Sequence, residues 1–190
     1  MNTLSEIAAK VKDCTNCGLC KGRTNAVPGE GNSHAEIMFI GEGPGQNEDR
    51  QGKPFVGAAG KFLNELLAGI GMQRVDVFIT NVVKCRPPNN RDPEAQEVAA
   101  CAPYLEAQVR LIQPKLIILL GRHAMYRFLP AHLKISEVHG KIFRYKGIAT
   151  PKQLYLPLYH PAVALYNGSY RGILQKDFAI IPALLKKITA

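Results

Sequence analysis

Residues 36–57, EIMFIGEGPGQNEDRQGKPFVG, decide the predicted fold of this 190-residue chain. Their first six residues form an apolar run that hardly alternates with polar residues, which is typical of a strand buried on both faces. The glycine-rich remainder follows at the position where such a strand would end. Three more runs of the same kind predict strands at residues 77–83, 116–120 and 154–159.

Helical patterns lie between these runs. Five apolar residues form one stripe, bracketed by Gly60 and Gly71: Phe62, Leu63, Leu66, Leu67 and Ile70. A second helix is predicted to start at Asp92, which can cap it, with Pro93 at its first position. A last helix is predicted at residues 175–188. Alternating strands and helices predict an α/β fold, in which helices cover both sides of a parallel sheet.

Composition limits the class of protein. A hydrophobic fraction of 46% indicates a globular chain, and 190 residues suit one domain rather than two. No apolar run approaches the roughly 20 residues that span a bilayer. Residues 1–14 lack the apolar core of a signal peptide, so we expect a cytoplasmic protein with no membrane partner. The net charge of +9 favours a polyanionic partner such as nucleic acid.

The five cysteines indicate a metal site rather than disulfides. Three of them lie in DCTNCGLCKG at residues 13–22, while Cys85 and Cys101 follow the second predicted strand. Such clustering in a cytosolic chain is typical of metal binding, and the odd number argues against a fully paired disulfide framework. Four such thiolates suit either zinc or a [4Fe–4S] cluster, and their spacing does not choose between the two.

Ligands of parallel α/β sheets bind at the carboxyl ends of the strands, which directs attention to the residues after each run. The loop at residues 41–57 lacks the Lys-Ser/Thr ending of a phosphate-binding loop, so an NTPase is disfavoured. Phe55 in this loop is either a core residue or a stacking platform for a flat ring. Asn81 is either a turn former or a reader of a base edge. His160 follows the fourth run, where a histidine is a candidate catalytic group.

Taken together, the motifs resemble family 4 of the uracil-DNA glycosylases. The chain carries CxxC near its N-terminus, GEGPG followed by EDRQGKPFVG, NVVKCRPPNNRDP with a later cysteine, and a final HP, in that order. The resemblance extends from about Cys14 to the last helix. It implies one uracil-DNA glycosylase domain over residues 1–190, a three-layer α/β/α architecture with a four-stranded parallel sheet.

The family also implies a cofactor and a substrate. The cofactor would be a structural [4Fe–4S] cluster in the N-terminal segment, bound by Cys14, Cys17, Cys85 and Cys101. The substrate would be uracil in single- or double-stranded DNA, and the enzyme would act as a monomer. Two residues depart from the family pattern, because Gln46 and Asn47 replace acidic residues after GEGPG. Cys20 is an additional thiol beside the expected ligands.

Within such an enzyme the pocket residues take specific roles. Phe55 would stack on the flipped uracil, while Asn81 would accept a hydrogen bond from N3–H and donate one to O4. Glu48 would form the wall of the pocket near C5 of the base. The expected backbone contribution to the uracil site comes from Gly41, Glu42 and Gly43.

The expected catalytic residues are His160, Glu42 and Gly43. His160 would donate to the negative charge that develops on O2 as the bond breaks. Gly43 offers only its backbone where related glycosylases of other families carry Asp or Asn. Either the Glu42 carboxylate or a backbone carbonyl would therefore orient the water.

The expected DNA contacts lie outside the uracil pocket. Arg86, Asn90 and Arg91 would contact phosphate, and Leu165 and Tyr166 would enter the vacated base stack. Two other classes stay open at this point: an electron-transfer or redox-sensing iron–sulfur protein, and a zinc-stabilised nucleic-acid-binding module without catalysis. The first would leave Phe55, Asn81 and His160 without a role.

Overall fold

The computed structural model describes residues 1–149 and 153–189 as an α/β fold built on one mixed sheet. Its strands are β1 Glu30–Gly31, β2 Ile37–Gly41, β3 Phe78–Asn81, β4 Leu116–Leu120, β5 Phe143–Tyr145 and β6 Gln153–Leu158. Its helices are α1 Leu4–Lys12, α2 Gln46–Gln51, α3 Ala58–Gly69, α4 Ala95–Ile112, α5 Arg122–Phe128, α6 Ile135–Val138, α7 Val163–Tyr166, α8 Ser169–Ala179 and α9 Ile181–Thr189.

The sheet confirms the four predicted strands and corrects their number. The strand order is β1-β3-β2-β4-β6-β5, and the four central strands, which are the predicted ones, run parallel. The edges are extended by β1 and β5, which pair antiparallel to β3 and β6. The sheet therefore has six strands, not four. These edge strands are only two and three residues long and carry exposed residues, so neither forms an apolar run in the sequence.

Both faces of the parallel strands are buried, as the non-alternating runs predict. In β2, Met38 and Ile40 pack in one apolar cluster with residues of α1, α4 and α5. The alternate residues Ile37 and Phe39 pack in a second cluster with α3, α8 and α9. Successive side chains of a strand point to opposite faces, so one central strand supplies both cores and the architecture has three layers.

Two predicted helix boundaries are wrong. The helix α4 is capped by Glu94, whose carboxylate and that of Glu97 bind each other's backbone N–H in a capping box. Asp92 lies outside this helix and pairs with Arg122 at 2.7 Å instead. The predicted last helix is two helices, α8 and α9, which meet at Ile180. Proline has no N–H to donate and its ring clashes with the preceding turn, so Pro182 fits the first turn of α9 and not the middle of one helix.

The parallel topology brings distant segments of the chain to one edge of the sheet. Gly41 and Asn81, the last residues of β2 and β3, are direct neighbours in the register. His160 follows β6 at the same edge. The strand order reverses between β2 and β4, and ligands bind at such a reversal point in open α/β sheets. None of the helices in the described part of the chain combines the length and apolar character needed to cross a membrane.

Candidate active site

A pocket of about 310 Å³ opens at the carboxyl ends of the parallel strands. Six of the seven residues predicted to bind uracil line it: Glu42, Gly43, Glu48, Phe55, Asn81 and His160. The seventh, Gly41, lies directly behind two of them. A Cβ at Gly41 would collide with Asn81 Oδ1 and come within 2.7 Å of the Phe55 ring, so only glycine allows this close approach.

Asn81 presents an unsatisfied acceptor in this pocket. Its side chain ends β3 and is 2% exposed. Within the described residues, Asn81 Oδ1 has no hydrogen-bond partner. Burying a polar atom without a partner costs about 1–3 kcal/mol, a cost that a ligand donating to Oδ1 would remove.

His160 is held as a neutral imidazole with a defined tautomer. Its Nδ1 accepts a hydrogen bond from the backbone N–H of Ala162 at 3.2 Å, which leaves the proton on Nε2. Burial lowers the pKa of His160 to about 4, and the charge of Glu48 opposes that shift only in part. The ring stacks on Phe55 with centroids 5.5 Å apart. At neutral pH His160 is therefore an uncharged Nε2–H donor.

Phe55 adopts a backbone conformation that is rare for a side chain of its size. Its φ is +51°, in the left-handed region, which costs roughly 1–2 kcal/mol for a residue with a Cβ. Glu48 lies in the same pocket and binds the loop after Phe55, because its Oε1 accepts from the N–H groups of Val56 and Gly57 at 2.8 Å each. Glu48 thus supports the Phe55 loop. Its position beside C5 of the base stays a prediction.

Glu42 belongs to a charged network that the sequence did not reveal. Its carboxylate lies 3.8 Å from His123 Nε2, which is 3.2 Å from a carboxylate oxygen of Asp92. Burial raises the pKa of Glu42, while the nearby His123 lowers it. Its backbone carbonyl is already engaged, because it accepts from the N–H of Val83 at 3.0 Å. His123 follows β4, the third predicted strand. The residues after this strand could therefore have been examined for site residues, as those after the other strands were.

The predicted DNA contacts divide between the pocket and its surroundings. Asn90 and Arg91 line the pocket, but the Arg91 guanidinium is held by both carboxylate oxygens of Glu97 at 2.9 and 2.6 Å. Arg86 lies in an adjoining cleft of about 150 Å³, where its Nε donates to Asn90 Oδ1 at 2.8 Å. Leu165 and Tyr166 form an exposed apolar pair on α7, with exposed fractions of 47% and 91%.

All five cysteines line a second cleft, which α4 also lines through Ala100 and Tyr104. Several donors point at their sulfur atoms. The Arg23 guanidinium donates to Cys85 Sγ at 3.2 Å, and the backbone N–H of Lys84 donates to Cys101 Sγ at 3.2 Å. Burial raises the pKa of the Cys101 thiol to about 11, so a metal that binds this sulfur must displace its proton.

The separation of the sulfur atoms bears on the kind of metal. Among the residues that the structure describes, no three cysteine sulfurs lie within 4.8 Å of one another. A single zinc ion, with Zn–S bonds of about 2.3 Å, holds its sulfurs roughly 3.8 Å apart. Thiolates that each bind a different iron of a cluster are farther apart. The five cysteines are thus gathered in one cleft, and no three of their sulfurs stand as close together as around a single zinc ion.

Comparison with known proteins agrees with this geometry. A sequence model of the Uracil DNA glycosylase superfamily matches residues 28–181. A type-4 uracil-DNA glycosylase of Saccharolobus solfataricus is 56% identical over 94% of this chain and 84% of its own. A type-4 uracil-DNA glycosylase of Archaeoglobus fulgidus is 47% identical over 98% of this chain and 96% of its own. One of Thermotoga maritima is 44% identical over 95% of this chain and 94% of its own. The chain therefore belongs to the uracil-DNA glycosylase superfamily and, within it, to the type-4 uracil-DNA glycosylases.

Proposed function

We propose that this protein flips uracil out of DNA and hydrolyses its N-glycosidic bond, leaving an abasic site as the first step of base excision repair. The observation that carries the proposal is the buried, unpartnered Asn81 Oδ1 at the floor of the pocket. Uracil N3–H is a donor for this oxygen, and uracil O4 accepts from the amide Nδ2. Cytosine presents the opposite pattern at both positions, so the same amide excludes it.

The remaining pocket residues complete the binding of the flipped base. Phe55 provides the stacking surface, since its ring lies between Gly41 and His160. The backbone N–H groups at residues 41–43 would bind O2. Glu48, which lines the same pocket, would oppose the methyl group of thymine near C5.

The chemistry follows from where charge develops. As the glycosidic bond breaks, the sugar becomes oxocarbenium-like and negative charge grows on uracil O2. The Nε2–H of His160 donates to that charge without a proton-transfer step, since the imidazole is already neutral. Glu42 lines the pocket and orients the attacking water through its carboxylate. Gly43 contributes only its backbone to the pocket, because a Cβ there would come within 2.8 Å of Val83 Cγ2.

Binding of the DNA extends beyond the uracil pocket. Arg86, Asn90 and Arg91 would contact phosphate, and the net charge of +9 favours the polyanion. Leu165 and Tyr166 are exposed just beyond His160 and fill the gap left by the flipped base. We propose a monomer of one domain that accepts single- and double-stranded DNA, and we place it in the cytoplasm, where thiols stay reduced.

Release of free uracil tests the function directly. An oligonucleotide with one uracil, single-stranded or paired with guanine or adenine, should lose the base with turnover and become alkali-labile at that position. A matched oligonucleotide with thymine should stay intact. If the protein binds the DNA but releases no uracil, it is a non-catalytic DNA-binding module. If it neither binds the DNA nor releases uracil, the electron-transfer or redox-sensing class is the one that remains.

The cysteine cleft suits a structural [4Fe–4S] cluster on Cys14, Cys17, Cys85 and Cys101. Bound there, it would supply a cross-link between the N-terminal segment, the loop after β3 and α4. The donors from Arg23 and Lys84 would bond to the coordinating sulfurs. Because the loop from Cys85 continues through Arg86 to Arg91, this cross-link would fix the DNA-contacting residues and take no part in bond cleavage.

Iron content distinguishes the four proposed ligands from Cys20. Single replacement of Cys14, Cys17, Cys85 or Cys101 by alanine should reduce bound iron and the absorbance near about 400 nm to a small fraction of the parent values. Cys20→Ala is the matched control, because Cys20 lines the same cleft but should be dispensable. Full iron content in Cys85→Ala, or loss of iron in Cys20→Ala, would contradict this ligand set. Stoichiometric zinc in the parent protein would replace the cluster with a zinc site.

A further inference from the structure

Two charged side chains hold the loop around Phe55 from opposite sides. The Arg74 guanidinium donates to the carbonyl oxygen of Pro54 at 2.7 Å and to that of Phe55 at 3.1 Å. The Glu48 carboxylate accepts from the N–H groups of the next two residues. Three consecutive peptide groups, from Pro54–Phe55 to Val56–Gly57, are thus bound by charged side chains rather than by regular secondary structure.

Arg74 is itself fixed in place by partners on two elements. Its Nε and Nη2 donate to the Glu30 carboxylate of β1 at 3.1 and 2.5 Å. Its Nη1 also donates to Asn64 Oδ1 of α3 at 3.2 Å. Side-chain exposure is 23% for Arg74 and 34% for Glu30, so the pair is partly shielded from water. The planar fork of an arginine can serve a carboxylate and two carbonyls at once, which a lysine cannot.

The loop needs such support for two reasons. Phe55 has a left-handed φ of +51°, a conformation that persists only when its surroundings impose it. The start of α3 also presses on this peptide, since a Cβ at Gly60 would collide with the carbonyl group of Phe55. A relaxed loop would move the ring away from Gly41 and His160, which it contacts in the pocket.

We propose that Arg74 is a positioning residue for uracil excision: through the Pro54 and Phe55 carbonyls it holds the Phe55 ring as a preformed stacking platform. Arg74 does not line the pocket and touches no reacting atom, so its effect passes entirely through Phe55. This inference rests on the proposed function and adds a residue that lies 19 positions from Phe55 in the sequence.

A double-mutant cycle tests the coupling. Single-turnover uracil release is measured for the parent, Arg74→Met, Phe55→Ala and the double variant, each with its iron content and melting temperature. Arg74→Met should slow release by about 10- to 100-fold, and the same change should cost little once Phe55 is alanine. Arg74→Lys should recover part of the rate, since it keeps the charge beside Glu30, and it replaces Arg74→Met in the cycle if that variant does not fold.

Arg171→Met is the matched control. Arg171 of α8 pairs with Glu65 of α3 at 2.6 Å and lies over the Phe62 ring at 4.2 Å, so its removal also deprives α3 of a paired arginine. It should leave the rate near that of the parent. A readout independent of activity is the ¹H shift of the His160 ring, which Phe55 stacks against. Arg74→Met should move that shift toward its value in Phe55→Ala.

The outcomes separate this inference from the proposed function. No uracil release by the parent would end the proposed function. Release by the parent, a slower Phe55→Ala and an Arg74→Met at the parent rate would overturn the role of Arg74 alone. Additive losses in the double variant, or an unmoved His160 shift, would also overturn it, because they assign Arg74 to general stability.

Discussion

Replacement of His160 by alanine should slow uracil release by about 100- to 1000-fold while DNA binding stays nearly intact, because removing a donor from a developing oxyanion typically costs that much. The structure supplies the reason for choosing this side chain, since Ala162 N–H occupies Nδ1 and leaves Nε2–H free to donate. Single-turnover rates and separate binding titrations distinguish the two effects. His34→Ala, a change at an exposed histidine, is the control.

The pH dependence of the same group gives a second test of this role. Burial holds the pKa of His160 at about 4, against an ordinary value near 6.5. The imidazole should stay neutral from neutral pH down to about 5, so its own protonation should limit cleavage only as the pH approaches 4. In the unfolded chain His160 takes up a proton below about 6.5, and in the folded chain only near 4. This group therefore removes stability as the pH falls through that window. A parent-like rate in His160→Ala would remove His160 from catalysis.

Asn81→Asp should reduce uracil release by about 100-fold or more at neutral pH. An ionised carboxylate at this position cannot donate to O4 and would repel it, and sites built to hydrogen-bond a ligand reject a mismatched partner strongly. The same carboxylate offers an acceptor to the exocyclic amine of cytosine, so release of cytosine is measured in parallel.

Acidification sharpens the Asn81 test. A protonated carboxyl group has one donor and one acceptor, as the amide does, so the activity of Asn81→Asp should recover in part as the pH is lowered. Asn32→Asp, an exposed asparagine whose Oδ1 accepts from the His34 N–H, is the control for the added charge. A parent-like rate in Asn81→Asp at neutral pH would show that Asn81 does not read the base, even in an active enzyme.

Most of the fold could be predicted from the sequence because the central strands are buried on both faces. Runs such as IMFIG and LIILL have no polar face, and only a central parallel strand needs such a composition. The edge strands β1 and β5 carry no such signal, so the number of strands was underestimated. The start of α4 was misplaced for a related reason: Asp92 is a preferred cap residue, but Arg122 and His123, which engage it, come from a distant segment.

The sequence by itself determined the central sheet and the family, and it predicted which residues follow the strand ends. These features rest on local composition and on motifs of a few residues, which the order of amino acids records directly. Only the tertiary structure decided which ring nitrogen of His160 carries the proton and that Asn81 Oδ1 is buried without a hydrogen-bond partner among the described residues. It also decided the left-handed backbone of Phe55 and the contact of Arg74 with this loop. Each depends on contacts between segments far apart in the chain, and such contacts exist only once the sheet has brought its carboxyl ends together.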